Sequence, residues 1–295
     1  MSDENVSAHY TRTGLLAAIC DGVEKLGKTP ATVVVEDLAT VDEFHIGGRQ
    51  ASEDFLGQLG LTPDQRMLDV WCGLGGSARF AATRYGYHIA GVDLTEEYVT
   101  TGQAMCDWVG LGDRVSLRQG SALSMSFETD TFDGAYMLHV GMNIDDKHRL
   151  CAEVYRVLRP GAFFGFYDVM RTGEGELEYP VPWAATPETS AVHSVDDYRE
   201  ALRAADFAIM AERNRRDFAL EFFAKLKAST TGASGPAPLG LHILMGDTAP
   251  RKIANMVATS RAAPLPRWRS WLGRRRSVPS LAGRGRLRCG LFDES

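Results

Sequence analysis

A short run of aspartate and glycine residues carries the clearest chemical signal in the sequence. Asp69 is followed by Gly73, Gly75 and Gly76 in the run LDVWCGLGG, and Asp93 comes 17 residues after Gly76. Glycines between a strand and a helix let a ligand approach the backbone, and the helix N-terminus offers free amide groups. A carboxylate at the end of the next strand can accept hydrogen bonds from ribose hydroxyls. The arrangement predicts a site for an adenosine-containing ligand.

Two cofactors meet this description. Gly73, Gly75 and Ala78 satisfy the looser dinucleotide pattern that ends on alanine, so the turn alone does not separate NAD from S-adenosylmethionine (SAM). Two features favour SAM. Asp69 lies inside the first strand, just before the turn, and no second mononucleotide-binding half is evident after the third strand.

The segments around this turn alternate between strand and helix patterns. Strands are predicted over 66–71, 88–93, 114–119, 131–140 and 162–170, with helices over 77–85, 94–109 and 145–158. Buried strands separated by helices of about 10–15 residues indicate an α/β fold. We expect a doubly wound, Rossmann-like and mostly parallel sheet with helices on both faces.

The remaining segments predict three additions to this sheet. Residues 1–60, with a helix over 9–28, form a helical N-terminal cap, and residues 61–260 form the main domain. Residues 172–193, which contain three prolines, form an insertion after the fifth strand. A helix over 194–205 with Ser194 as its N-cap, a strand over 207–212 and helices over 217–227 and 249–259 follow.

Composition excludes several classes of protein. The 295 residues are 44% hydrophobic and 24% charged, as in ordinary globular proteins. No apolar run approaches the roughly 20 residues that span a bilayer, and the N-terminus has no basic segment of the kind that begins a secretory signal. Five scattered cysteines without metal-like spacing indicate a reduced, cytoplasmic protein with no disulfide framework and no metal site.

The charge is distributed unevenly along the chain. Residues 261–295 hold nine arginines and two acidic residues, a net charge of +7, whereas residues 1–260 hold 23 basic and 36 acidic groups, a net charge of −13. The basic tail contains three prolines and no alternating apolar run, which predicts a largely disordered segment and a missing final edge strand. With an acidic main body and little aromatic-basic surface, nucleic-acid binding is disfavoured.

Taken in order, the motifs resemble those of class I SAM-dependent methyltransferases, and more narrowly the group that contains sarcosine/dimethylglycine N-methyltransferases. The resemblance covers roughly residues 8–260. The matching segments are DEFHIGG at 42–48, residues 68–76, GVDL at 91–94, FDGAY at 132–136, HVGMNI at 139–144 and VLRPG at 157–161.

The resemblance implies a division of roles in the cofactor site. Asp69 and the turn glycines would hold the methionine end of SAM, Asp93 the ribose, and Leu94 would pack on the adenine. Ser121 and Ala122 would lie at the adenine edge, where relatives commonly have aspartate in place of Ser121. His139 would lie beside the reactive methyl group.

Trp71 departs from the family pattern, which normally has glycine at this position. Two alternatives follow: the indole swings out and the site binds SAM, or cofactor binding is weakened or lost. Overpacking a well-fitted site costs about 1–3 kcal/mol.

The resemblance further implies methyl transfer to a small molecule, with an amine nitrogen as the leading acceptor and oxygen or carbon as alternatives. His139 and His45 are the candidate bases. The expected partners are a small-molecule substrate and, in a homodimer, a second copy of the chain. The substrate side is expected to include Tyr10, Met142, Asn143, Tyr167, Trp183 and Arg171.

Overall fold

The computed structural model describes residues 3–171, 173, 176–230, 235, 237–261 and 267–275. Within these residues a seven-stranded sheet has the order β3-β2-β1-β4-β5-β7-β6. The strands are β1 Arg66–Val70, β2 His88–Asp93, β3 Val115–Gln119, β4 Phe132–Leu138, β5 Leu158–Met170, β6 Phe207–Asn214 and β7 Arg267–Arg275.

Eleven α-helices are found in the described part of the chain. They are α1 Asp3–Tyr10, α2 Leu15–Lys25, α3 Val35–Asp42, α4 Gly48–Leu56, α5 Gly76–Tyr85, α6 Glu96–Trp108, α7 Lys147–Val157, α8 Val195–Ala204, α9 Arg216–Thr230, α10 His242–Met245 and α11 Ala249–Arg261. Strands β1 to β5 pair in parallel, which confirms the predicted doubly wound α/β sheet. None of these helices is long and apolar enough to cross a membrane.

The parallel sheet brings the candidate residues together at one edge. Asp69 lies near the end of β1, Asp93 ends β2, and His139 directly follows β4. Because β1 pairs with both β2 and β4, the ends of these strands are neighbours. Ligands of open α/β sheets bind at this carboxyl edge, where the strand order reverses.

The prediction that the final edge strand is missing was wrong. Residues 267–275 of the basic tail form β7, which pairs antiparallel with β5 on one side and with β6 on the other. Backbone hydrogen bonds to two neighbours hold such a strand without the alternating apolar pattern on which the prediction rested. The expected disorder of 276–295 concerns residues outside the described part of the chain.

Of two local predictions for helices, the one for the N-cap at Ser194 is confirmed and the one for a single helix over 9–28 is wrong. Ser194 caps α8: its hydroxyl accepts a hydrogen bond from the Asp197 amide at 3.2 Å, and the Asp197 carboxylate accepts one from the Ser194 amide at 2.8 Å. The single helix predicted over 9–28 is instead two helices, α1 and α2. Gly14, at φ 83°, lies between them in a left-handed conformation that breaks helical geometry.

A buried ion pair joins the N-terminal cap to the glycine turn. The guanidinium of Arg79, on α5, contacts the Asp42 carboxylate at 2.5 Å, and both side chains are fully buried. The same guanidinium donates to the carbonyl oxygens of Leu74 at 2.7 Å and Gly102 at 3.1 Å. Arg79 therefore fixes the end of α3, the turn and α6 relative to one another.

Replacing Arg79 by methionine should lower the free energy of unfolding by about 3–5 kcal/mol, because the Asp42 carboxylate is left buried without its partner. Arg84→Met is the matched control on the same helix, since Arg84 lies 3.8 Å from Glu53 in an exposed pair. An exposed pair contributes at most about 1 kcal/mol. Urea denaturation measures both variants, and equal losses would contradict a structural role for the buried pair.

Candidate active site

The glycine turn is shaped by close packing on the cap and the sheet. Gly75, at φ 73°, precedes α5 in a left-handed conformation, and a Cβ atom there would lie 2.8 Å from a Leu117 methyl carbon. A Cβ atom on Gly76 would lie 2.4 Å from the Cβ of Asp42. These two glycines are therefore required by packing, and neither lines the large cavity described below.

Asp93 holds the turn as well as lining the large cavity. One carboxylate oxygen accepts a hydrogen bond from the Gly73 amide and the other from the Thr95 amide, each at 2.9 Å. Burial raises the pKa of Asp93 to about 6, although these two amides oppose the shift. The Thr95 side chain is a third hydrogen-bond partner, and the carboxylate keeps acceptor capacity for a ligand hydroxyl.

Asp69 is a buried carboxylate at the same edge of the sheet. It accepts a hydrogen bond from the Tyr136 hydroxyl at 2.9 Å. Burial raises the pKa of Asp69 to about 8, and the neighbouring charge of Asp93 adds to the shift. A positively charged ligand group beside Asp69 would reverse this effect by stabilising the ionised form.

His139 presents a ring nitrogen that the described residues do not satisfy. Its backbone is left-handed, at φ 55°, and its amide donates to the Tyr167 carbonyl at 2.7 Å. The Nε2 atom is buried and has no hydrogen-bond partner in the described part of the chain. Burial lowers the pKa of His139 well below its usual value, so the ring is neutral at pH 7.

His45 belongs to a buried polar network in the cap. Its Nε2 atom lies 3.1 Å from the Ser52 hydroxyl, which donates to Glu43 at 2.7 Å. Arg49 contacts the other oxygen of Glu43 at 2.9 Å. Burial lowers the pKa of His45 to about 4, and its ring centre is 6.1 Å from that of His139.

Glu43 lines the large cavity, but sequence reasoning did not select it as a site residue. Its signal was present in the DEFHIGG segment, where an acidic residue precedes a histidine and two glycines.

Helix α1 closes over the loop that follows β4. The Tyr10 hydroxyl donates to the Asn143 side chain at 3.2 Å. The ring of Tyr10 packs edge-on against Tyr98 at 6.1 Å and Phe44 at 6.5 Å between centroids. The cap thus covers the carboxyl edge of the sheet beside the candidate site.

The other residues predicted for the substrate side divide into two groups. Met142, Asn143 and Trp183 line the large cavity, as Tyr10 does. Tyr167 and Arg171 are absent from its lining. Tyr167 lies behind His139, with its ring edge-on at 4.7 Å, and the backbone amide of Arg171 donates to His193 at 2.8 Å.

The large cavity has a volume of about 1180 Å³ and a lining of mixed chemistry. Asp69, Gly73, Asp93, Leu94 and His139 contribute to it from the carboxyl edge of the sheet. Much of the remaining lining is apolar and comes from the cap, the insertion and helices α9 to α11, including Phe44, Trp183, Phe222, Leu244, Ile253 and Met256, although Arg49, His242 and Asp247 line the cavity as well. The volume exceeds the roughly 300–1,000 Å³ of ordinary ligand sites, so the cavity has room for two molecules.

A second, smaller cavity of about 130 Å³ lies beside the first. Ser121 and Ala122, both predicted to contact the cofactor, line this cavity and not the large one. Trp71 lines both cavities.

Comparison with known proteins identifies the class. Residues 68–166 match the family described as "Methyltransferase domain". Residues 68–166 therefore carry a methyltransferase domain, and the sheet around them has the fold of class I SAM-dependent methyltransferases.

Individual curated methyltransferases are similar to this chain in sequence over part of their length. A sterol 24-C-methyltransferase from Yarrowia lipolytica is 32% identical over 123 residues, which are 42% of this chain and 32% of that protein. The chain spans only 30–51% of the length of this and three other curated relatives.

Two solved structures share the fold over most of the chain. A putative sarcosine dimethylglycine methyltransferase from Galdieria sulphuraria has a TM-score of 0.63 at 19% identity, with 79% of this chain and 86% of that chain covered. Geranyl diphosphate C-methyltransferase from Streptomyces coelicolor A3(2) has a TM-score of 0.65 at 17% identity, covering 92% and 97%.

The raised pKa of Asp69 gives a pH dependence with a defined sign. The folded protein holds this proton more tightly than the unfolded chain, so the associated stability is present below pH 4 and is lost as the pH rises towards 8. Asp69→Asn removes this loss. We therefore expect the variant to gain at least about 1 kcal/mol of unfolding free energy over wild type between pH 5 and pH 8.

Urea denaturation at the two pH values measures the gain. Asp113→Asn serves as the control, because Asp113 is exposed. A difference between Asp69→Asn and wild type that is the same at both pH values would show that Asp69 titrates normally.

Proposed function

We propose that this chain transfers the methyl group of SAM to an amine nitrogen of a small molecule with a largely apolar body. The observation that supports the proposal is the large cavity, whose lining combines His139 and the buried carboxylates Asp69 and Asp93 with many apolar side chains. The cap closes over the cavity, and closure of this kind excludes water from the reaction.

The lining residues at the carboxyl edge of the sheet suit part of the cofactor. Asp69 is a buried carboxylate that lines the cavity, which fits an ammonium group, and Asp93 has lone pairs for ribose hydroxyls. The backbone at Gly73 is open, since a Cβ atom there would have its nearest neighbour, a Tyr98 ring carbon, at 3.9 Å. When bound, SAM supplies an activated methyl group on a sulfonium. These residues would hold its methionine and ribose portions.

His139 is the residue we assign to proton handling. Its Nε2 atom is buried without a partner among the described residues, and its lowered pKa keeps the ring neutral. A neutral imidazole accepts a proton or a hydrogen bond from an acceptor amine and so keeps the nitrogen lone pair available. His45 also lines the cavity, but its Nε2 atom is engaged by Ser52, so we assign it a positioning role beside His139.

The apolar part of the lining limits the kind of substrate. Arg171 is not part of the cavity lining, so the recognition of a substrate carboxylate predicted for it has no support at this site. Apolar side chains from the cap, the insertion and α9 to α11 bury hydrocarbon, and each buried CH₂ group contributes about 0.8 kcal/mol. We therefore favour an amine that carries an alkyl, isoprenoid or aromatic body.

A carbon acceptor is the second candidate, and the apolar part of the lining favours it as well. The similar proteins include sterol and geranyl diphosphate C-methyltransferases, whose named substrates have hydrocarbon bodies. In such a reaction the same Nε2 atom of His139 would accept the proton that the substrate loses.

Calorimetric titration with SAM and S-adenosylhomocysteine tests the cofactor, and methyl transfer to matched long-chain amines, alcohols and isoprenoid alkenes tests the acceptor. We expect binding of both cofactor forms and transfer to the amines. Transfer to alkenes alone would replace the first candidate by the second. Failure of the protein to bind either cofactor form at high micromolar concentration would overturn both.

His139→Asn should lower kcat by about 10²–10⁴-fold, because a general base contributes a factor of this size. Asparagine tolerates the left-handed backbone of this position, so the fold is kept. The affinity for S-adenosylhomocysteine should change little. His88→Asn is the control, since His88 is exposed at the start of β2. An unchanged kcat in His139→Asn would exclude the assigned role.

A further inference from the structure

Trp71 stands in the wall between the two cavities. Among the described residues, Val6, Trp71 and Asn143 line both of them. Asp93 and Leu94 line the large cavity, whereas Ser121 and Ala122 line the small one. The indole is half-buried and, like Leu123, packs against the apolar cluster that contains Val92 and Ala122.

The backbone at Trp71 is in an unusual conformation. Its φ of 58° lies in the left-handed region, which residues with a side chain disfavour relative to glycine. The surrounding turn enforces this conformation, because the Cys72 amide donates to the Val92 carbonyl at 3.0 Å and the Cys72 carbonyl accepts from Gly75 at 2.8 Å. An aromatic residue held in this region is a rare feature that points to a functional cause.

The strand order indicates which parts of a nucleoside ligand would lie on each side of the wall formed by Val6, Trp71 and Asn143. A nucleoside ligand that meets the turn after β1 and places its ribose at Asp93 must direct its base towards the end of β3, because β3 is the next strand beyond β2. Ser121 and Ala122 follow β3 directly, and the Gly120 amide donates to the Asp93 carbonyl at 2.8 Å. Asp93 and the end of β3 are thus neighbours in the sheet, but the residues after β3 line a separate cavity.

We propose that Trp71 is a gate for the base of the cofactor: the indole closes the passage between Asp93 and the end of β3, and cofactor binding requires it to leave the wall. This inference rests on the proposed function. The other two members of the wall come from α1 and from the loop after β4, which Tyr10 and Asn143 link by a hydrogen bond. The cap therefore contributes to the wall in which the indole lies.

Such a gate lowers the apparent affinity of the protein for the cofactor by an amount that depends on how often the gate is open. The apparent dissociation constant equals the intrinsic constant divided by the fraction of molecules in which the gate is open. Removing the indole should therefore strengthen binding of a ligand that carries the base and speed its association. A ligand that lacks the base has no need of the passage and should gain little.

Two ligands and two variants test the proposal. S-adenosylhomocysteine carries the adenine, and S-ribosylhomocysteine is the same molecule without it. Trp71→Ala removes the ring but keeps a Cβ atom, and Trp71→Gly also relieves the left-handed strain. We expect both variants to bind S-adenosylhomocysteine at least about tenfold more tightly than wild type, since the overpacking removed is worth about 1–3 kcal/mol. For S-ribosylhomocysteine, titrated at millimolar concentration, we expect less than about a threefold change in affinity.

Association rates from stopped-flow mixing give a second readout that does not depend on activity. Trp71→Ala should bind S-adenosylhomocysteine faster than wild type by a factor similar to its gain in affinity. Trp108→Phe is the control, because Trp108 packs in the cluster around α2 and lines neither cavity. Circular dichroism confirms that each variant is folded.

The outcomes separate this proposal from the proposed function. If wild type and both variants bind S-adenosylhomocysteine equally well and equally fast, the gate is excluded and the methyltransferase proposal stands. Weaker binding by Trp71→Ala would make the indole a contact for the cofactor and would also exclude the gate. If no variant binds S-adenosylhomocysteine, both proposals fail.

Discussion

The buried ion pair between Arg79 and Asp42 is the interaction on which the site depends. It joins three parts of the chain that are distant in sequence, because the guanidinium also binds the carbonyl groups of Leu74 and Gly102. A charge without solvent access must be matched by partners at fixed positions. The ion pair therefore fixes the position of the turn relative to the cap without any ligand. It also brings Asp42 so close to Gly76 that a side chain at position 76 would clash with it.

A second constraint acts from the other side of the turn. Asp93 binds the amides of Gly73 and Thr95, so the carboxylate expected to meet a ribose also holds the backbone beside it. Groups that are positioned before a ligand arrives avoid the cost of ordering them during binding. The turn is thus held at two points: Arg79 binds the Leu74 carbonyl group, and Asp93 binds the Gly73 amide. Between these two restraints Trp71 adopts the left-handed conformation that its side chain disfavours.

Much of this arrangement could be predicted from the sequence, because it depends on patterns of residues that are close together in the chain. Strands β1 to β5 are short apolar runs between helices, and their pattern places Asp69, Asp93 and His139 at strand ends. The buried network of Glu43, His45 and Ser52 could not be predicted, because it forms only when the cap folds onto the sheet. The same holds for the separation of Ser121 and Ala122 from the large cavity, because the wall between the two cavities is formed by residues from the cap, the turn and the loop after β4.

Strand β7 has a consequence for the order in which the sheet can be completed. It lies between β5 and β6, yet it follows both of them in the chain. During synthesis, β5 therefore leaves the ribosome with one edge unpaired, and β6 has no strand partner until residues 267–275 have emerged. Unpaired edges of this kind invite pairing with other chains.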